Sequence, residues 1–217
     1  MRKHLLASFL AFTSAAGFAA DAVRGVRFVD RTSAAWQSQQ VQEPCILSNP
    51  KDPTRLVMFF SGVPATNRNL CFIGKAWARK ADPFAWHQDE HNPVFGPGKS
   101  GWDSGSIRLD AVLYVSEEDA YYIYYSGTTA SIQDRIGLAI CPAGADGYSD
   151  ITPAAIRRFG AQPVLAPEPA APYFEQMASQ AAVLREWDAK EGGKRQGARL
   201  GRHGHVLRRR RHVARVG

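Results

Sequence analysis

Residues 101–127, GWDSGSIRLDAVLYVSEEDAYYIYYSG, decide the fold, because their parts recur in the same order on either side of them. Tyr125-Ser126-Gly127 answers Phe60-Ser61-Gly62 at an offset of 65 residues, and Ile136-Gly137-Leu138-Ala139 answers Ile73-Gly74-Lys75-Ala76 at 63. Pro163-Val164-Leu165 answers Pro93-Val94-Phe95 at 70. A third copy begins where Phe174-Glu175 stands in the place of Trp102-Asp103, and Ala182-Val183-Leu184 answers Ala111-Val112-Leu113 at 71. A fixed period of this length points to stacked supersecondary units, none of which can bury its faces alone.

Each unit reads as four short strands with no helix between them. In the first, Cys45-Ile46-Leu47 is closed by the turn signals Ser48-Asn49-Pro50 and Asp52-Pro53. Leu56-Val57-Met58-Phe59-Phe60 follows, apolar at every position as a strand covered on both faces must be. A third strand spans 71–78, and Asp82-Pro83 is expected to turn the chain toward Trp86 and the closing Pro93-Val94-Phe95. The second unit repeats the plan at 111–115, 121–125 and 136–141, with a turn at Ser116-Glu117-Glu118-Asp119, a loop-rich insertion at 144–156 and a close at 163–165. Four-stranded antiparallel sheets repeated along the chain predict an all-β fold, a β-propeller. A β-sandwich is the alternative, though it does not predict the long repeat. The units fall at 36–98 and 99–167, and the third starts at 168–188.

At 217 residues the chain can bury a real core. Its formal charge of +7 belongs to residues 189–217, which hold ten Lys and Arg against the single acid Glu191. The body is slightly acidic and offers no general basic face for nucleic acid. The tail, with the run Arg208-Arg209-Arg210-Arg211, admits three readings: a nucleic-acid-binding arm, a solvated disordered tail, or aberrant sequence such as a frameshift leaves. No packed strand is expected beyond Lys190. At the other end Arg2, Lys3 and His4, an apolar run at 5–12 and the small residues at Ala19, Ala20 and Ala22 read as a signal peptide over 1–22. The expectation is a secreted or periplasmic protein without a stable membrane span. Cys45, Cys71 and Cys141 cannot all pair within one chain and lie in apolar runs, as small core residues do.

Glu43-Pro44-Cys45-Ile46 ahead of a Phe-Phe-Ser-Gly strand, Leu109-Asp110-Ala111-Val112 ahead of Tyr-Tyr-Ile-Tyr-Tyr-Ser-Gly, the Ile-Gly-x-Ala strands and the Asn92-Pro93-Val94 closer together resemble the five-bladed β-propeller glycoside hydrolases. These are the arabinanase, xylosidase and arabinofuranosidase group (family 43), with the invertase-like group (family 32) as relatives. The likeness covers about residues 36–186. It implies an exported hydrolase acting on polysaccharides or oligosaccharides, a carbohydrate partner and no cofactor. Five blades of ~65 residues need about 325, so the expectation for this chain is an incomplete propeller without turnover. A non-catalytic carbohydrate-binding propeller and a non-functional truncated product are the alternatives.

In that family three carboxylates at the starts of the innermost strands of three blades do the chemistry. The resemblance carries the base or nucleophile onto Glu43, and onto Asp110 the residue that tunes and orients the acid. Glycoside cleavage needs one protonated and one ionised carboxyl, and a neighbouring charge separates their pKa values. Glu43 stands where the family uses Asp, one methylene longer. Gln180 occupies the expected position of the acid, and an amide cannot supply that proton. Glu175 is the nearest carboxyl that could. Trp36, Trp102 and Asp103 are candidate sugar-binding residues. Each has a plainer reading: a strand-edge charge for Glu43, a turn-capping carboxylate for Asp110, a solvated loop acid for Glu175, and core packing for the tryptophans. The cluster His87, Asp89, Glu90, His91 resembles a metal site, yet Asn92-Pro93 denies the helix that an i, i+4 pair of ligands needs. It reads as a solvated polar loop, and no metal is expected.

Overall fold

A computed structural model describes residues 34–129, 134–167, 179–185, 198–202 and 205–207, with 184–185 and everything from 198 onward described by backbone alone. The signal-peptide reading and Glu175 fall outside the described residues. Strands β1 (Gln40–Ser48), β2 (Arg55–Val63), β3 (Phe72–Arg79) and β4 (Asp82–Gln88) form one antiparallel sheet in chain order. Strands β5 (Ser106–Val115), β6 (Ala120–Thr128), β7 (Arg135–Pro142) and β8 (Arg157–Arg158) form a second in the same order. These are propeller blades, each a four-stranded meander, with β1 lying against β5 and β5 against β9 (Ala182–Arg185).

The repeat read from the sequence is a repeat of register. Ser61 faces Ile73 across β2 and β3, and Ser126 faces Ile136 across β6 and β7. The closing segments match atom for atom: the Ile73 N–H donates to Phe95 O and the Ile136 N–H to Leu165 O, both at 2.8 Å.

The apolar run of β2 is explained by what covers each of its faces. Val57 and Phe59 point into the core shared with the second blade, alongside Tyr121, Ile123 and Tyr125 of β6. Met58 and Phe60 point the other way, toward Trp36, Val41 and Trp86. On β6 the alternate residue Tyr124 packs with Ile136 of β7 and with Ala181 and Val183, which lead into and lie on β9. A strand covered on both faces, by the next blade on one side and by its own blade's aromatic residues or a further sheet on the other, must be apolar at odd and even positions alike. Each such side chain contributes roughly 2 kcal/mol by burial.

Three expectations change. Asp82-Pro83 is not a turn: Arg79 faces Asp82 across a hairpin, and both residues open β4, an edge strand where proline's missing N–H costs no ladder bond. The closers Phe95 and Leu165 form isolated bridges, so the fourth strand of the second blade is the short β8. The tail is not strand-free either. Backbone segments β10 (Ala198–Arg202) and β11 (His205–Leu207) pair antiparallel with β9 in the order β11-β10-β9. An exposed β9 edge presents unpaired N–H and C=O groups to any chain segment that can extend, whatever its charge.

The insertion at 144–156 straps the two blades together. Asn49 Nδ2 donates to Asp146 O at 2.9 Å, and Tyr121 OH donates to Gly147 O at 2.8 Å. Gly147 has φ +71° with Asn49 standing where a β-carbon would reach, a place where a side chain would meet both strain and a clash. Among the described residues no helix is long and apolar enough to cross a membrane.

Candidate functional site

The innermost strands of both blades carry a bulge at the same place. On β1 the pairing passes from Gln42–Ser61 to Cys45–Phe59, leaving Glu43 and Pro44 opposite Phe60. On β5 it passes from Arg108–Ser126 through Leu109–Tyr125 to Ala111–Tyr124, leaving Leu109 and Asp110 opposite Tyr125. A bulge re-aims the side chain it carries. Glu43 is the first residue of its bulge and has φ +55°, while Asp110 is the second of its own. The longer glutamate therefore starts from a different bulge position, and both carboxyls end on the equivalent serine. Ser61 Oγ donates to Glu43 Oε2 at 2.8 Å, and Ser126 Oγ lies 2.9 Å from each oxygen of Asp110.

The two carboxyls stand on different blades, and Asp110 feels the charge of Glu43. Burial pushes Asp110 up to about 6 against the pull of Ser126, the Ala181 N–H and Arg108, and the charge of Glu43 adds to the rise. Burial likewise raises Glu43, opposed by Ser61 and Arg108 and assisted by Asp134. Arg108 Nη2 is held by Asp134 Oδ2 at 2.8 Å beside the pair. The Cys71 thiol, next to Ser61, is pushed up to about 11 by burial and stays neutral at physiological pH. A pair of half-buried carboxyls with one near 6 can hold a single proton at mildly acidic pH, which is the division of labour that general acid and base chemistry requires.

The third sheet presents no acid at this place among the described residues. Gln180 is exposed, has φ +59° like Glu43, and donates its backbone N–H to Ser126 Oγ at 3.2 Å. Glu175 lies outside the described residues.

The remaining candidates have structural partners. Trp36 lies over Gly62 and Gly74 and stacks on Phe60 at 5.6 Å, and Trp102 lies over Gly127 and Gly137 and stacks on Tyr125 at 5.7 Å. Each ring fills the space that two glycines leave on its own blade, so one face of each is already occupied. Asp103 is 3 % exposed. Its Oδ2 accepts from Tyr125 OH at 2.9 Å and from Arg158 Nε at 2.7 Å, which commits it to the blade rather than to a ligand. Asp89 is likewise not a solvated loop acid. Its Oδ2 pairs with the buried Lys75 Nζ and its Oδ1 accepts the His91 N–H, while the His87 ring stacks on Trp77.

What the sequence reading missed is Lys75 and the role of the two serines. Lys75 stands in an Ile-Gly-Lys-Ala strand where its counterpart is Leu138, and that exchange of an apolar residue for a charge was the available signal.

No family model and no curated protein matches the sequence. Among solved structures the chain is similar to the β-1,2-mannobiose phosphorylase of Listeria innocua in complex with β-1,2-mannobiose, with a TM-score of 0.52 and 18 % identity. The match covers 75 % of this chain and 41 % of that one, so this chain spans under half the length of that solved structure. The likeness establishes the propeller fold, shared with a carbohydrate-processing enzyme, and does not single out the arabinanase or invertase-like groups.

Proposed function

We propose that the protein acts on glycosidic bonds, with Asp110 and Glu43 as the reacting carboxyls. The observation that carries this reading is their convergence: two acids from successive blades, each on a bulge, each held by a serine, with Asp110 near 6. In its protonated form Asp110 donates to the glycosidic oxygen as the C–O bond breaks. Glu43, ionised, serves the incoming acceptor as base or attacks the anomeric carbon itself. The resemblance in sequence favours arabinosides and xylosides with water as acceptor. The structural neighbour supports a second reading, phosphorolysis of a manno-disaccharide, and Arg108 beside the pair is the cation an anionic acceptor would meet. A carbohydrate-binding propeller without turnover is the remaining possibility, and Gln180 favours it.

The test is to incubate the protein with aryl α-L-arabinofuranosides, aryl β-D-xylosides and β-1,2-mannobiose, with and without inorganic phosphate, and to separate free sugars from sugar phosphates. Against the chain-length expectation of no turnover, the carboxyl pair predicts turnover of at least one substrate, reduced roughly 10²- to 10⁴-fold by Asp110→Asn or Glu43→Gln. Turnover indifferent to both substitutions would overturn the assignment, and binding without turnover would favour the non-catalytic reading.

A further inference from the structure

We propose that Ser61 and Ser126 are the positioning residues of the carboxyl pair, each tying the carboxyl of its own blade to the backbone of the next. Resting on Glu43 and Asp110 as the reacting groups, this deepens the reading above.

The same three-part contact occurs twice. Ser61 Oγ donates to Glu43 at 2.8 Å and accepts the Leu109 N–H, on the innermost strand of the second blade, at 2.9 Å. Ser126 Oγ donates to Asp110 at 2.9 Å and accepts the Gln180 N–H, leading into the innermost strand of the third sheet, at 3.2 Å. Ser61 is 0 % exposed and Ser126 is 3 % exposed. A hydroxyl has one proton to give, so once a neighbouring N–H fills a lone pair, its donor direction is set toward the carboxyl. Two bonds in series inside a low-dielectric site also polarise each other. The consequence is that docking of one blade on the next fixes where the carboxyl of the first one points. Displacements well under the length of a bond to the substrate matter for such groups. The bulge supplies the aim and the serine holds it.

This explains why the Phe-Ser-Gly and Tyr-Ser-Gly motifs end strands β2 and β6. The serine must reach the bulge opposite, and the following glycine admits the tryptophan ring that closes the blade. A bulkier residue at the serine would enter the space between two inner strands that lie against each other.

The experiment is ¹³C-carboxyl NMR titration of Asp110 and Glu43 in the full chain, with kcat and KM measured alongside, for Ser61→Ala, Ser126→Ala and the near-isosteric Ser61→Cys and Ser126→Cys, which preserve packing if alanine does not fold. The groups facing the pair, Arg108, Asp134 and Cys71, are left intact. Removing the Ser126 hydroxyl is expected to raise the Asp110 midpoint by half a unit or more and leave Glu43 in place. Removing the Ser61 hydroxyl does the reverse. Where turnover is measurable, kcat falls about tenfold or more at little change in KM. If neither midpoint moves, or both move together whichever serine is replaced, the serines only pack the interface and the proposal fails. The failure of the functional reading looks different: the midpoints move selectively while Asp110→Asn and Glu43→Gln leave turnover unchanged.

Discussion

Lys75 Nζ lies 3.2 Å from Asp89 Oδ2 and 2.8 Å from the carbonyl oxygen of Tyr148, with none of its side chain exposed to solvent. A strand of the first blade, its own polar loop and the insertion of the second blade thus meet on one buried ammonium, which also sits 4.2 Å from the Tyr148 ring. Burial lowers the Lys75 pKa, and Asp89 only partly restores it. For Asp89, desolvation is outweighed by the His91 N–H and Lys75, leaving its carboxyl below the usual range. Asp89→Asn strands a buried charge and should cost on the order of 3 kcal/mol in urea unfolding, whereas Lys75→Met, which removes the charge, should cost less. The Asp89 contribution is present above the ordinary carboxylate pKa and is lost as pH falls through its depressed folded value, so Asp89→Asn should also flatten the acid limb of stability against pH.

Asp110 works in the opposite sense. Its folded pKa, about 6, stands above its unfolded value near 3.8, so the folded state binds the extra proton between those values. Stability should therefore fall as pH rises from about 4 to about 6, by on the order of 2 kcal/mol. Asp110→Asn should remove that slope and make the protein more stable at neutral pH while abolishing any turnover, as expected of a site held at a cost to the fold. Unfolding free energies measured at pH 4 and pH 7 for both proteins check this.

The tryptophans give a third prediction. A β-carbon added at Gly137 would stand 2.7 Å from Trp102 Cη2 and 2.7 Å from Tyr125 Cε1. Gly137→Ala should destabilise by about 1–3 kcal/mol through overpacking. Trp102→Ala should destabilise by on the order of 3 kcal/mol. Were Trp102 solely a sugar platform, its replacement would weaken binding and leave the melting temperature unchanged.

Arg158 joins the outer strand of the second blade to the close of the first, donating to Asp103 Oδ2 at 2.7 Å and to Gly96 O at 2.8 Å over the ring of Phe95. Arg158→Met leaves the Asp103 carboxylate buried with Tyr125 alone. It should cost more than Asp103→Asn, and the double substitution should cost less than the sum, with a coupling of about 1–3 kcal/mol in a double-mutant cycle.

The blades were legible because both faces of β2 and β6 are covered. Continuous apolar runs such as Leu56 to Phe60 and Tyr121 to Tyr125, repeated with the same Ser-Gly ending, leave little choice of architecture. Glu43 and Asp110 were singled out through motif resemblance, and each stands on a bulge bonded to a repeat serine. The serines were visible as repeat markers but not as partners, because each bonds back across its hairpin to a bulged carboxyl and accepts from the following blade, 48 residues on for Ser61 and 54 for Ser126. The structural partners of Asp103 and the tryptophans were hidden for a related reason: what covers a ring or a carboxylate is set by tertiary neighbours such as Arg158, Gly62 and Gly137. The strands β10 and β11 were hidden by a composition that argues for solvation, since local propensity carries no record of an open edge nearby.

The central claim, that Glu43 and Asp110 form one carbohydrate-acting site, is tested most directly by following the ¹³C-carboxyl resonances of both residues while β-1,2-mannobiose, xylo-oligosaccharides and arabino-oligosaccharides are titrated in at pH 6. The account predicts that at least one of these sugars shifts both resonances along a single saturation curve, and that Asp110→Asn weakens that sugar's binding about tenfold or more. Saturation at one carboxyl without the other, or no response of either to any of the three, would contradict it.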